Sequence, residues 1–171
     1  MVFCFIHRPG DALDLSGEAA LIFQWAIWQQ AVDDPIWKWA NFTPREMACQ
    51  GSGRLLVHVA FMNRLQRLRD LYDAPITIIS GYRTPAYNAE ISNKKSKTGA
   101  HTHGRAVDIF TRNRERDIPM LLDIAKLCGF TRCGLQITTE NYRLHLDDMT
   151  KDDGFAVRED GKGLFCWTYK A

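Results

Sequence analysis

Residues 104–110, Gly104-Arg105-Ala106-Val107-Asp108-Ile109-Phe110, decide how the whole chain is read. As a strand they place Val107 and Ile109 on one face and Ala106 and Asp108 on the other, because successive side chains alternate. A carboxylate on so apolar a segment needs partners, since an isolated buried charge is driven to neutralise or to pair. Residues 142–147 repeat the pattern. Leu144 and Leu146 point one way, and His145 and Asp147 project side by side the other way.

Further elements are legible on either side. Ile76-Thr77-Ile78-Ile79-Ser80 is β-branched and apolar enough for a buried strand whose end delivers Gly81-Tyr82-Arg83 to a surface. Before it, Phe61, Leu65, Leu68 and Tyr72 recur at intervals of four, three and four, the spacing of a core-facing helix between His58 and Tyr72. Thr43-Pro44-Arg45-Glu46 is a capping box with proline at the first helical position, and it predicts a short helix before Gly51-Ser52-Gly53. Ser16 is positioned to cap a helix running to about Val32, stopped by Asp33-Asp34-Pro35. Trp25, Trp28, Trp37 and Trp39 lie in or just after that segment and are expected to pack it onto the main body rather than to form a sugar platform. Asp117 is expected to cap a helix over 118–128, with Pro119 near its start. Residues 155–158 and 164–169, flanking Asp160-Gly161-Lys162-Gly163, predict a closing hairpin. Together these describe an α+β domain, residues 41–171, with a small, mainly antiparallel central sheet flanked by helices. Residues 1–40 form a helical extension on it.

Composition narrows the function classes. The 171 residues are 46% hydrophobic and 25% charged, typical of a globular domain. Twenty-two Lys and Arg against 20 acids, net +2, provide no footprint for nucleic acid. The segment 19–32 is too short to insert in a membrane and is interrupted by Gln24, Gln29 and Gln30. His7 and Arg8 interrupt the opening apolar stretch, so no signal peptide is expected and the chain is read as made in the cytoplasm. The five cysteines, Cys4, Cys49, Cys128, Cys133 and Cys166, are odd in number and lack a CxxC pair, so they are expected to be buried free thiols. A monomer is expected.

The polar positions that break the apolar pattern are His101 or His103, Asp108 and His145. Two neutral imidazoles and a carboxylate suit Zn²⁺ with a fourth position left for water. Spacing by itself leaves other readings open: loop histidines, a turn-capping Asp108 and a hydrogen-bonded core His145.

Three stretches carry a resemblance. Ser80-Gly81-Tyr82-Arg83-Thr84-Pro85-Ala86-Tyr87-Asn88, then His101-x-x-Gly104-x-Ala106-x-Asp108-Ile109, then His145-Leu146-Asp147 resemble the three signatures of the zinc D-Ala-D-Ala peptidases of the M15 family. The likeness covers about 41–148 and is to the short bacterial and phage branch, whose domain opens with a phrase like Phe42-Thr43-Pro44-Arg45-Glu46-Met47-Ala48-Cys49. It implies the hedgehog/DD-peptidase-like fold, zinc held by His101, Asp108 and His145, and Arg83 facing a substrate carboxylate or carbonyl oxygen, with Ser80 and Tyr82 lining the substrate site. His101 is then the ligand in preference to His103. Several relatives place an acidic base three residues before the last histidine, where this chain has Tyr142. Asp147 is the first candidate for that role, its alternative being a carboxylate that orients His145, and Glu140 is the other acid in reach. Gly99 also replaces a serine found in many relatives.

The resulting expectation is a zinc metallopeptidase cutting an amide bond in peptidoglycan stem peptides or cross-links, as carboxypeptidase or endopeptidase. A phage lysin reaching the wall through another protein's pore would meet the delivery requirement. The alternative is a zinc-bearing domain that binds the wall, or builds a virion, without catalysis.

Overall fold

A computed structural model describes residues 21–92, 95–111, 114–137, 142–160 and 162–169. The two alternating segments form its centre: β4 (Ala106–Thr111) pairs antiparallel with β6 (Tyr142–Asp147), setting Asp108 opposite His145 and Ala106 opposite Asp147. On one side β3 (Thr77–Ser80) pairs antiparallel with β4, with Ser80 opposite Asp108. On the other, β5 (Arg132–Ile137) pairs antiparallel with β6, and β7 (Phe165–Thr168) pairs parallel with β5. The order is β3-β4-β6-β5-β7.

Alternation then divides the sheet. Val107, Ile109, Leu144 and Leu146 are all buried within the main hydrophobic core. That core also holds Phe61, Leu65 and Leu68 of α2 (Val59–Tyr72) and Leu121 and Ile124 of α4 (Arg114–Leu127). Side chains such as Leu65 and Leu68, at 0% exposure, each contribute about 1.5–3 kcal/mol by leaving water. The opposite face carries Asp108, His145 and Asp147, so the polar positions that looked anomalous along the strands share one surface.

Two short elements hold the loops that complete this surface. Thr43 caps α1 (Pro44–Met47) as expected, its Oγ1 accepting from the Glu46 amide while its own amide donates to Glu46 Oε2. α1 then meets the strand end, where the Tyr82 amide donates to the Met47 carbonyl at 2.8 Å. α3 (Pro85–Ile91) begins immediately after, capped by Thr84. A 3-10 turn at Ala100–His103 ends on Gly104 at φ +65°. A Cβ at Gly104 would stand 2.6 Å from the Leu56 carbonyl oxygen, so both the turn and its close approach to β2 (Leu55–His58) demand glycine.

The structure departs from the sequence reading in four places. The expected helix to Val32 is, in its described part, strand β1 (Ile22–Trp25) followed by a 3-10 turn at Trp28–Ala31. β1 pairs antiparallel with β2, so a partner some thirty residues away satisfies the backbone of a β-prone Ile-Phe-Gln-Trp segment. α4 starts at Arg114, not after Asp117, which is buried within it. The closing hairpin does not form: β7 joins β5, and residues 155–158 are not a strand. Cys133 and Cys166 are not free thiols but a disulfide, because the parallel pairing of β5 and β7 sets them opposite each other with Cα atoms 4.7 Å apart. Cys49 and Cys128 are free and buried, and Cys4 lies outside the described residues.

The tryptophans pack inward. Trp25, Trp37 and Trp39 form edge-on contacts at 6.2 and 5.2 Å, and the Trp39 indole donates to Asn63 Oδ1 on α2. Among the described residues no helix is long and apolar enough to cross a membrane.

The turn that carries His101 should be sensitive to its glycine. Gly104→Ala and Gly154→Ala both place a side chain at positive φ, costing about 1–2 kcal/mol. Only Gly104→Ala also presses on the Leu56 backbone, whereas a Cβ at Gly154 meets nothing within 4 Å. Urea denaturation should show the larger loss for Gly104→Ala.

Candidate metal centre and active site

Pairing register builds the site as one row across the sheet: Ser80, Asp108, His145, Gly134 and Trp167, each opposite the next on adjoining strands. His101 joins the row from the 3-10 turn. Its Nε2 lies 3.2 Å from His145 Nδ1 and 3.3 Å from Asp108 Oδ1, and His145 Nδ1 lies 3.0 Å from Asp108 Oδ1. Three donor atoms therefore form a nearly equilateral triangle. A tetrahedral ion with bonds of about 2.0–2.1 Å requires ligand separations of roughly 3.3–3.4 Å, so the triangle fits zinc with little adjustment. All three residues are buried, at 4–6% exposure, where a loose ion pair with solvent is not available.

Each ligand candidate is held by a second group. His101 Nδ1 donates to the Gly81 carbonyl at 2.7 Å, which leaves Nε2 as the lone-pair nitrogen, and the Arg83 amide donates to the His101 carbonyl at 3.2 Å. His145 Nε2 faces Asp147 Oδ2 at 2.8 Å, which turns Nδ1 toward the triangle. Asp108 Oδ2 accepts from Arg83 Nη2 at 2.5 Å, leaving Oδ1 for the triangle. Partners of this kind fix tautomer and ring orientation in metal sites.

Charge follows geometry. Burial lowers the His101 pKa, despite the pull of Asp108 in the other direction, and keeps the ring neutral. Burial also works against charge on His145, but hydrogen bonds to Asp108 and Asp147 outweigh it and push its pKa up to about 9. For Asp108 burial would favour the neutral acid, yet the two imidazoles hold its carboxyl well below the usual carboxylate range. The two carboxylates that flank His145 thus favour its protonated form.

The remaining expected site residues surround the triangle. Asp147 was the first candidate base, but it is 0% exposed and sits behind His145. Its oxygens are taken by His145 Nε2, by the Met149 amide at 3.1 Å and by the Arg132 guanidinium at 3.3 Å, so it orients the imidazole from the side away from the triangle. Arg83, expected to face substrate, is turned onto Asp108 and onto Ser80 Oγ, with its side chain 12% exposed. Ser80 and Tyr82 are themselves buried, and burial pushes the Tyr82 phenol up. They support Arg83 and the strand end rather than offering an exposed contact. His103 stands apart from the triangle, exposed, its ring 6.3 Å from Phe155. Glu140 lies outside the described residues.

Sequence reasoning missed the residues around this row. Gly134 has no side chain because the Trp167 indole occupies that space: a Cβ there would lie 2.6 Å from the ring. Trp167 in turn lies 5.5 Å from the His145 ring and stacks on Arg132, which is sandwiched by Phe155. Only the parallel pairing of β7 brings these together. Arg143 was missed as well, although period-two alternation puts it on the same face as His145, two residues before it.

Two imidazoles and a carboxylate that converge on one point, each backed by a fixed partner, could hold a metal ion with three protein ligands. A family model described as Peptidase M15 matches residues 40–147, more than half of the chain, and the protein belongs to that family of hydrolytic enzymes. The match contains the whole triangle and ends before β7. No curated protein matches the chain.

Zinc binding should displace the His145 proton. Because that pKa is raised, calorimetry in buffers of different ionisation enthalpy should show about one proton released per zinc at pH 7, with apparent affinity rising as pH increases toward 9. The same shift stabilises the metal-free fold below pH 6.5 and is lost as pH rises through about 9, so its urea midpoint should fall over that window.

Proposed function

We propose that the protein is a zinc-dependent peptidase that hydrolyses an amide bond in peptidoglycan stem peptides or their cross-links. The observation that carries this reading is the donor triangle of His101 Nε2, Asp108 Oδ1 and His145 Nδ1, with edges of 3.0–3.3 Å, inside a chain of the Peptidase M15 family. Zinc held by these three residues would supply a Lewis acid and a water whose pKa is lowered to about 7.

The chain's own residues prepare that chemistry. The Gly81 carbonyl and Asp147 hold the two rings with their ligand nitrogens inward. Arg83 holds one Asp108 oxygen and leaves the other for the triangle. Three guanidiniums, Arg83, Arg132 and Arg143, make this face positive, which suits the carboxylates that stem peptides carry. The disulfide between β5 and β7 supports action in an oxidising compartment, outside the cytoplasm. The likeness to the phage branch supports a lysin delivered to the wall through another protein's pore, acting as a monomer.

One observation favours the alternative of a wall-binding or virion domain: Asp147, the candidate base among the described residues, is committed behind His145. Mass spectrometry of peptidoglycan incubated with the zinc-loaded protein separates the two readings. Fragments released by the wild type and absent with His145→Ala are expected, free D-Ala marking a carboxypeptidase and monomers from dimers an endopeptidase. Binding to the wall without any released fragment would favour the alternative. Asp147→Asn should weaken zinc binding by about 10–100-fold, through loss of ring orientation, measured by competition with a chromogenic chelator.

A further inference from the structure

Alternation along β6 puts three polar side chains on the site face, Arg143, His145 and Asp147. Two are buried and fully engaged. Arg143 is neither: its side chain is 42% exposed, and among the described residues its ion-pair partner is Asp108, with Nη1 and Oδ2 4.0 Å apart. Register places it opposite Phe110 on β4 and Gln136 on β5, one step along the sheet from the row that carries Asp108 and His145.

Arg83 already holds Asp108 Oδ2 at 2.5 Å, and Arg83 is largely buried and also bonded to Ser80. Two guanidiniums therefore converge on one carboxylate oxygen, which is committed to the nearer. Among the described residues of this face, two carboxylates, Asp108 and Asp147, stand against three guanidiniums, Arg83, Arg132 and Arg143. The surplus is positive, and its exposed portion is the fork of Arg143. An exposed guanidinium matches a carboxylate in planar, bidentate geometry. Trp167 and Tyr169, 6.0 Å apart, form an aromatic rim beside the same row.

We propose that Arg143 is a specificity-determining residue that receives a substrate carboxylate flanking the scissile amide, reaching it from the exposed side of the site. The inference takes its substrate from the peptidase reading above. It makes this site selective for acidic peptides rather than for amides in general.

The test uses a synthetic stem pentapeptide with lysine at its third position, whose two free carboxylates are the α-carboxylate of the γ-linked D-Glu and that of the C-terminus, and two analogues in which each is amidated in turn. Zinc-loaded full-length wild type and Arg143→Gln are compared by calorimetric binding and by cleavage. Wild type should disfavour one amidated analogue by about 10-fold or more in affinity and in KM, the size of a charge-assisted pair. Arg143→Gln should erase that discrimination while its zinc affinity stays at the wild-type level, and Arg143→Lys should restore part of it. Equal treatment of all three peptides by wild type, or unchanged discrimination in Arg143→Gln, would overturn the inference. Cleavage without discrimination would sink the inference and leave the peptidase reading intact, and discrimination in binding without cleavage would do the reverse.

Discussion

An ionised carboxylate placed at the centre of a five-stranded sheet, as Asp108 is, would be expelled or neutralised if it stood alone. It remains charged because His101, His145 and Arg83 surround it, each from a different element. His145 comes from the adjoining strand, Arg83 from the loop after β3, and His101 from a turn tied to that same loop by the Gly81 carbonyl. Removing any one leaves the others with an unpaired charge or a misplaced ring. The loops that could have drifted independently are thereby bound to the sheet through one anion.

The pairing register supplies the precision. Strands spaced about 4.8 Å apart set opposed side chains within reach of one another, so a row of five residues becomes a single surface with fixed order. Ser80 and Arg83 guard one side of the carboxylate, and Asp147 guards the far side of His145. At the next position the row needs space rather than chemistry, and Gly134 provides it for Trp167. The helices α2 and α4 cover the opposite face and make the sheet a rigid platform, which suits a centre whose donors must hold their separations to a few tenths of an ångström.

The polar face of this sheet was legible because period-two alternation exposes a carboxylate or imidazole on an apolar strand as an anomaly. Spacing sets His145 and Asp147 on one face of their strand and Asp108 on the polar face of its own, the α2 stripe of Phe61, Leu65 and Leu68 reads as core-facing, and the pairing of β4 with β6 joins the two polar faces. Contacts between distant segments were not legible in the same way. The pairing of Ile22–Trp25 with Leu55–His58 overrides a local pattern that reads as helix, and the parallel docking of β7 on β5 converts two apparently free cysteines into a bridge. Roles were harder still: which atom of Asp147 or Arg83 is already engaged depends on partners such as Met149 and Ser80, whose proximity no spacing rule encodes.

The central claim is that His101, Asp108 and His145 together bind one zinc ion in an all-nitrogen and oxygen environment. Zinc-edge X-ray absorption on the loaded protein tests it most directly. The account predicts four nitrogen or oxygen neighbours at about 2.0–2.1 Å with the outer-ring scattering of two imidazoles, falling to one imidazole in His101→Ala. A sulfur neighbour at about 2.3 Å, or an imidazole count unchanged by His101→Ala, would contradict it.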